Sequence, residues 1–151
     1  MDQPNVIVIL GVSGSGKSTL SRQLAHEVGS TWMQSDDLRI AFHAADVTFN
    51  SGPPKPLYDS VPFDEFIRQS PNVLRKRMIN VAAALQPAVQ VVVENHVLQS
   101  WPMVIEGDSI HPDLIRDPRI KKWVDDGQVA FCCLAPASED ALRDIMLKRN
   151  A

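Results

Sequence analysis

Cysteine is nearly missing from this chain, and the two that occur, Cys132 and Cys133, are adjacent in an apolar run. Neighbours on a strand point to opposite faces, so the pair suits neither a bridge nor a metal site, and both read as small core residues. Such cysteine usage fits the reducing cytoplasm. No apolar run approaches the roughly 20 residues of a membrane span. The N-terminus has no basic region followed by an apolar one and a small-residue cleavage site, which predicts no signal peptide. A basic excess is also lacking: the formal net charge is −3, which argues against nucleic acid as a partner. No second histidine or cysteine stands at ligand spacing from His111, which reads as a loop residue before Pro112 rather than a metal ligand. Repeats and low-complexity tracts are absent. What remains is an ordinary globular composition, 44% hydrophobic and 22% charged over 151 residues, enough for one domain with a real core.

Within this plain composition, residues 6–25 read VIVILGVSGSGKSTLSRQLA: an apolar strand, a glycine-rich turn and an amphipathic helix. Gly11, Gly16, Lys17 and Ser18 fill G-x-x-x-x-G-K-[ST], the phosphate-binding loop. Glycines there let the backbone approach phosphate and adopt φ > 0. The intervening N–H groups of Ser13, Gly14, Ser15 and Gly16 form a nest for anionic oxygens, and the helix that starts near Lys17 points its N-terminal dipole the same way. Lys17 can reach the β- and γ-phosphates, and the Ser18 hydroxyl, with Thr19 beside it, stands where Mg²⁺ is ligated. The strand before the loop is continuously Val/Ile/Leu, as a parallel strand buried on both faces requires. Leu20, Leu24 and Val28 recur at helical spacing, and Gly29 suits the helix end.

Residues 31–35 (TWMQS) read as a second strand, followed by Asp36 and Asp37 at the edge where open α/β sheets bind ligands. Residues 38–44 read as a short helix with one of the two aspartates near its N-cap, and Arg39 one turn further on. Residues 45–62 are rich in proline and form a loop, residues 63–69 suit a short helix, and Pro71 suits the first turn of the next. Over residues 72–100 local rules leave two alternatives open. Alanines favour helix, Pro87 interrupts it, and AVQVVV at residues 88–93 is β-prone and ends in Glu94. A second apolar run, residues 103–105, leads into Glu106, Gly107 and Asp108. A strand ending in an acid is the metal-side partner of a phosphate loop, and Glu106 is favoured over Glu94 because glycine follows it; Asp108 is a second candidate. Residues 113–126 read as a broken helix with Trp123 and Val124 inward, and residues 129–134 (VAFCCL) as another buried strand. A last helix follows, capped by Ser138, with Ala141, Leu142, Ile145 and Met146 on its apolar face.

With GVSGSGKST at residues 11–19, SDDLR at residues 35–39 and MVIEG at residues 103–107 followed by Pro112, the chain resembles the P-loop small-molecule kinases, and more narrowly the 2-phosphoglycerate kinase-like family. GVSGSGKST is also the wording of the gluconate kinases. The resemblance implies that residues 72–99 are largely helical, that Glu106 is the acid, that Asp36 is the acid after the second strand and that Arg39 is the arginine that follows it. Kinases of this kind continue into an arginine-bearing lid, a fifth strand and a nucleobase loop. By that measure the chain reads as C-terminally incomplete, with Arg149 at the start of the lid.

The expected fold is therefore a three-layer α/β P-loop NTPase domain with a parallel sheet in order 2-3-1-4. The expected activity is ATP- and Mg²⁺-dependent phosphoryl transfer to a hydroxyl of a small anionic acceptor, with 2-phosphoglycerate as a candidate. A gluconate kinase-like activity, or an ATP-binding module without transfer, is the alternative. In this scheme Lys17, Asp36 and Glu106 are catalytic, Asp36 and Arg39 bind the acceptor, and Ser18, Glu106 through water, and Asp108 serve the metal. Arg68, Arg75 and Arg77 are reserve cations without a motif.

Overall fold

The computed structural model describes residues 3–47, 68–138, 140–141 and 144. Its strands are β1 (Val6–Gly11), β2 (Thr31–Gln34), β3 (Met103–Gly107) and β4 (Val129–Leu134). Its helices are α1 (Lys17–Val28), α2 (Ser35–Ala44), α3 (Pro71–Leu98) and α4 (Pro118–Asp125), with a 3₁₀ turn at Pro112–Arg116. All strand pairings are parallel and the order is β2-β3-β1-β4, as the sequence predicts.

Alternation along the strands sorts the core into two layers. Val6, Val8, Leu10 and Ile105 face α3 and α4, packing on Val89, Val93, Val97, Ile120 and Trp123. Ile9 and Val104 face the other way, onto Ala25 of α1, with Ile7, Leu24 and Trp32 around them. Helices thus cover both faces of the sheet, the three-layer arrangement that buried parallel strands demand.

Helix α3 resolves the ambiguity of residues 72–100. Pro87 lies inside it, and an interior proline costs a helix about 3 kcal/mol. Leu85, Val89, Val93 and Val97 are all buried on one side of that helix, and each such side chain contributes roughly 1.5–3 kcal/mol. Four buried side chains outweigh one proline, so tertiary packing keeps the helix continuous. Buried Gln90 adds a polar tie to α4: it donates to Asp117, the N-cap of α4, and accepts from Arg119.

Several local expectations need correction. Leu20 is 38% exposed, and the buried face of α1 is Lys17, Ser21 and Ala25. Small residues there let the helix lie close to the sheet, with Leu24 half-buried beside them. β2 ends at Gln34, so α2 begins one residue after the strand. Asp36 and Asp37 therefore occupy its first turn, where they complement the dipole, rather than the N-cap. β4 is an edge of the described sheet and only Val129 in it is fully buried. Cys132 packs in the α1-side core, whereas Cys133 is exposed. Gly29 ends α1 at φ 66°, Pro71 opens α3, and Ser138 Oγ accepts from the Ala141 N–H at 3.1 Å, as expected; His111, read as a loop residue, in addition caps the 3₁₀ turn by accepting from the Asp113 N–H. Most of the proline-rich stretch, residues 63–67 of the expected short helix, and the positions of Leu142, Ile145, Met146 and Arg149 lie outside the described residues, and residues 68–69 are a turn and a bend. Among the described residues no helix is long and apolar enough to cross a membrane.

The end of β3 meets the start of α2 with no clearance: a Cβ on Gly107 would stand 1.7 Å from Ser35 Oγ and 2.8 Å from Ser35 Cβ. Gly107→Ala is expected to lower the thermal midpoint by about 3–10 °C through overpacking. Because the intruding atoms belong to Ser35, adding Ser35→Gly should recover at least half of that loss. Circular-dichroism melts of the single and double variants check this, and equal losses would refute the contact as the cause.

Candidate active site

β1 delivers the chain to the phosphate loop through Gly11, whose φ is +147° and whose absent Cβ would sit 2.2 Å from the Leu134 carbonyl oxygen. Only glycine fits so tight a passage between β1 and β4. The loop then turns through Gly14 and Gly16 at φ 81° and 89°, and α1 starts at Lys17 with no side chain capping its first turn. Its leading N–H groups are thus left to the cleft in front of it.

Lys17 is 7% exposed, and its Nζ donates to the Val12 carbonyl at 2.9 Å. An ammonium has three donors, and this is the one that finds a partner among the described residues. A buried cation without a carboxylate beside it is costly unless an anion arrives. Next to it, Ser18 Oγ donates to Glu106 Oε1 at 2.6 Å. Glu106 is 3% exposed and sits where the sheet brings Ile9, Glu106 and Gln34 level across three strands.

Lys17, Ser18 and Glu106 line a cleft of about 560 Å³, together with Ser13, Gly14, Gly16 and Thr19 on the loop side. Asp36, Gln34, Gly107 and Asp108 line it too. The cleft thus unites the predicted phosphate loop, the acid after β2 and the acid at the end of β3. Gly11 and Ser15 shape the loop without lining the cleft; Ser15 Oγ is buried and has no hydrogen-bond partner among the described residues. Glu94 lies on α3 and does not line it, so Glu106 is the acid beside the phosphate loop. Asp108 lines it while accepting from Ser109 Oγ at 3.3 Å. Arg39 does not line the cleft: its Nε donates to Asp36 Oδ1 at 3.0 Å. Arg68, Arg75 and Arg77 do not line it either.

Two lining residues escape a reading of the sequence. Gln34 is the last residue of β2, and Arg22 lies five residues past Lys17 on α1. Arg22 belongs to a small network. Its guanidinium lies over the Trp32 ring, 5.2 Å from the centroid, and its Nε donates to the Ser18 carbonyl at 3.1 Å. Trp32 Nε1 donates to Ser21 Oγ at 3.0 Å, and Ser21 Oγ donates to the Lys17 carbonyl at 2.6 Å.

No family model matches the chain. Over 59 residues it is 37% identical to a protein described as a probable gluconokinase from Rattus norvegicus, a stretch covering 39% of this chain and 30% of that one. The chain thus spans less than a third of the curated relative it matches. A gluconokinase structure from Sinorhizobium meliloti 1021 superposes with a TM-score of 0.54 at 23% identity, covering 99% of this chain and 67% of that one. That likeness shows the fold alone, an α/β domain built on a parallel sheet in the order β2-β3-β1-β4.

Replacing the buried ammonium tests the site directly. Lys17→Ala is expected to weaken Mg-ATP binding by about tenfold or more, the loss of a charge-assisted contact to phosphate. Titration calorimetry measures it, and unchanged affinity would remove the phosphate assignment.

Proposed function

We propose that the protein transfers the γ-phosphoryl group of ATP to a hydroxyl of a small anionic acceptor. The observation that carries this reading is the cleft itself, lined at once by a buried lysine, a serine–glutamate pair and Asp36. Phosphoryl transfer asks for positioning and charge neutralisation more than for covalent chemistry, and these residues supply both.

In this reading the loop N–H groups and Lys17 hold the β- and γ-phosphates. The acceptor oxygen bonds to the γ-phosphorus as the bond from phosphorus to the β,γ-bridging oxygen breaks, and ADP departs. The acceptor's proton passes to the Asp36 carboxylate, which must stand within hydrogen-bond reach of that hydroxyl. Arg39 holds Asp36 Oδ1, so its role here is to orient the base. A serine hydroxyl and a buried carboxylate are hard oxygen donors that suit Mg²⁺, which keeps most of its shell for phosphate and water. Bound there, Mg²⁺ would supply charge neutralisation at the phosphates. Ser18 would hold it, with Glu106 through water and Asp108 near the same edge.

For the acceptor, a sugar acid of the gluconate class is favoured by the 37% identical stretch and by the fold likeness to a gluconokinase. The SDDLR and MVIEG motifs keep 2-phosphoglycerate as the second candidate. Both carry a carboxylate and a free hydroxyl.

ADP release measured with D-gluconate, 2-phosphoglycerate and shikimate tests the proposal. One of them is expected to stimulate it. Asp36→Asn should then lower kcat by about 100-fold or more while Mg-ATP affinity holds. Mg-ATP binding with no stimulation by any acceptor would instead mark a nucleotide-binding module.

A further inference from the structure

An anionic acceptor needs a cation in the cleft that the nucleotide does not occupy. Among the described residues, the cations lining it are Lys17 and Arg22. Lys17 sits within the phosphate loop. Arg39, the arginine that the sequence motif suggests, is held by Asp36. We propose that Arg22 is the residue that binds the acceptor's carboxylate, and that Trp32 positions it. This rests on the kinase reading above.

The case for Arg22 is its fixation. A surface arginine loses considerable rotamer freedom when it binds a ligand, which opposes affinity. Arg22 is exposed, yet its guanidinium lies over the Trp32 ring and its Nε donates to the Ser18 carbonyl. The indole is fixed in turn, because its N–H is bonded to Ser21 Oγ, itself bonded to the Lys17 carbonyl. With Nε engaged, the two Nη groups remain, and they bond to none of the described residues. Their planar pair of donors matches a carboxylate in bidentate fashion, which a lysine cannot reproduce. Arg22 and the phosphate-loop lysine also ride on the same helix. A carboxylate held at Arg22 therefore stands at a set distance from the phosphate, and the reacting hydroxyl is chosen by that distance.

The test compares D-gluconate with D-gluconamide, which keeps the hydroxyls and loses the charge, in initial-rate kinetics. Wild type is expected to show a KM for gluconate about tenfold or more below that for the amide. Arg22→Gln should raise the gluconate KM by about 10–100-fold and leave the amide KM nearly unchanged, which abolishes the preference. Arg22→Lys should restore only part of it. Trp32→Phe, which keeps a ring and loses the bond to Ser21, should raise the gluconate KM with little change in kcat. Should 2-phosphoglycerate be the acceptor that turns over, Arg22→Gln is expected to raise its KM by a similar factor. Calorimetry with Mg-ATP on the same variants, with thermal melts to show that they fold, gives a readout apart from turnover. If Arg22→Gln keeps the preference for the anion, the inference fails and the kinase reading stands. If it weakens Mg-ATP instead, Arg22 serves the nucleotide and the inference is overturned. If wild type turns over no acceptor, the kinase reading itself fails and takes the inference with it.

Discussion

The hydrogen bond from Ser18 Oγ to Glu106 Oε1, at 2.6 Å, is the contact on which the rest of the site depends. It joins the first turn of α1 to the C-terminal end of β3 through two residues 88 positions apart in the chain. β3 lies between β1 and β2, so any slip in its register would carry Glu106 away from both the loop and Asp36. A one-residue slip would send the Glu106 side chain to the opposite face of the sheet. A carboxylate this deeply buried is tolerated only with a donor, and losing the serine would leave its charge uncompensated. The hydrophobic pattern sets the register of the sheet, and this one short polar contact depends on that register and on where α1 starts.

The same economy explains why the helix nearest the sheet hides polar and small side chains. On α1 the inward stripe is Lys17, Ser21 and Ala25, while Leu20 faces outward. A helix made to carry a phosphate loop must bring its N-terminus up to the strand edge, and large inward side chains would lift it away. Ser21 fills the remaining space with a hydroxyl that is both donor and acceptor, to the Lys17 carbonyl and from the Trp32 indole. Packing and preorganisation are the same set of contacts here.

Much of this was legible in the sequence because the motifs are local. The strand–loop–helix of residues 6–25 encodes its own geometry, and MVIEG reads as a strand ending in an acid. The strand order followed from family resemblance and is borne out. The continuity of α3 was not locally legible, since Pro87 and the valines argue against helix and only packing against the sheet outweighs them. Arg22 and Trp32 were invisible for a different reason. Neither belongs to a motif, and their meeting depends on α1 crossing β2 at close range. The helical spacing of Leu20, Leu24 and Val28 suggests an apolar stripe, and α1 departs from it because its buried residues are Lys17, Ser21 and Ala25.

Charge completes the logic of the cleft. Its lining carries three carboxylates, Asp36, Glu106 and Asp108, against two cations, Lys17 and Arg22. A nucleotide triphosphate and an anionic acceptor brought together there would repel each other and the carboxylates strongly, the more so as water leaves the site. Two kinds of positive potential in the fold oppose this: the N–H groups of the loop and of the uncapped start of α1, and Lys17. They lie on the phosphate side, whereas Arg22 lies beyond the first turn of the helix. The carboxylate at the end of β3 adds negative charge where phosphate would sit, which is unfavourable for the bare nucleotide and favourable for one that carries Mg²⁺. On the proposed kinase reading, the acids of the cleft would favour the metal-bound nucleotide over the bare one, and its two cations would divide between nucleotide and acceptor.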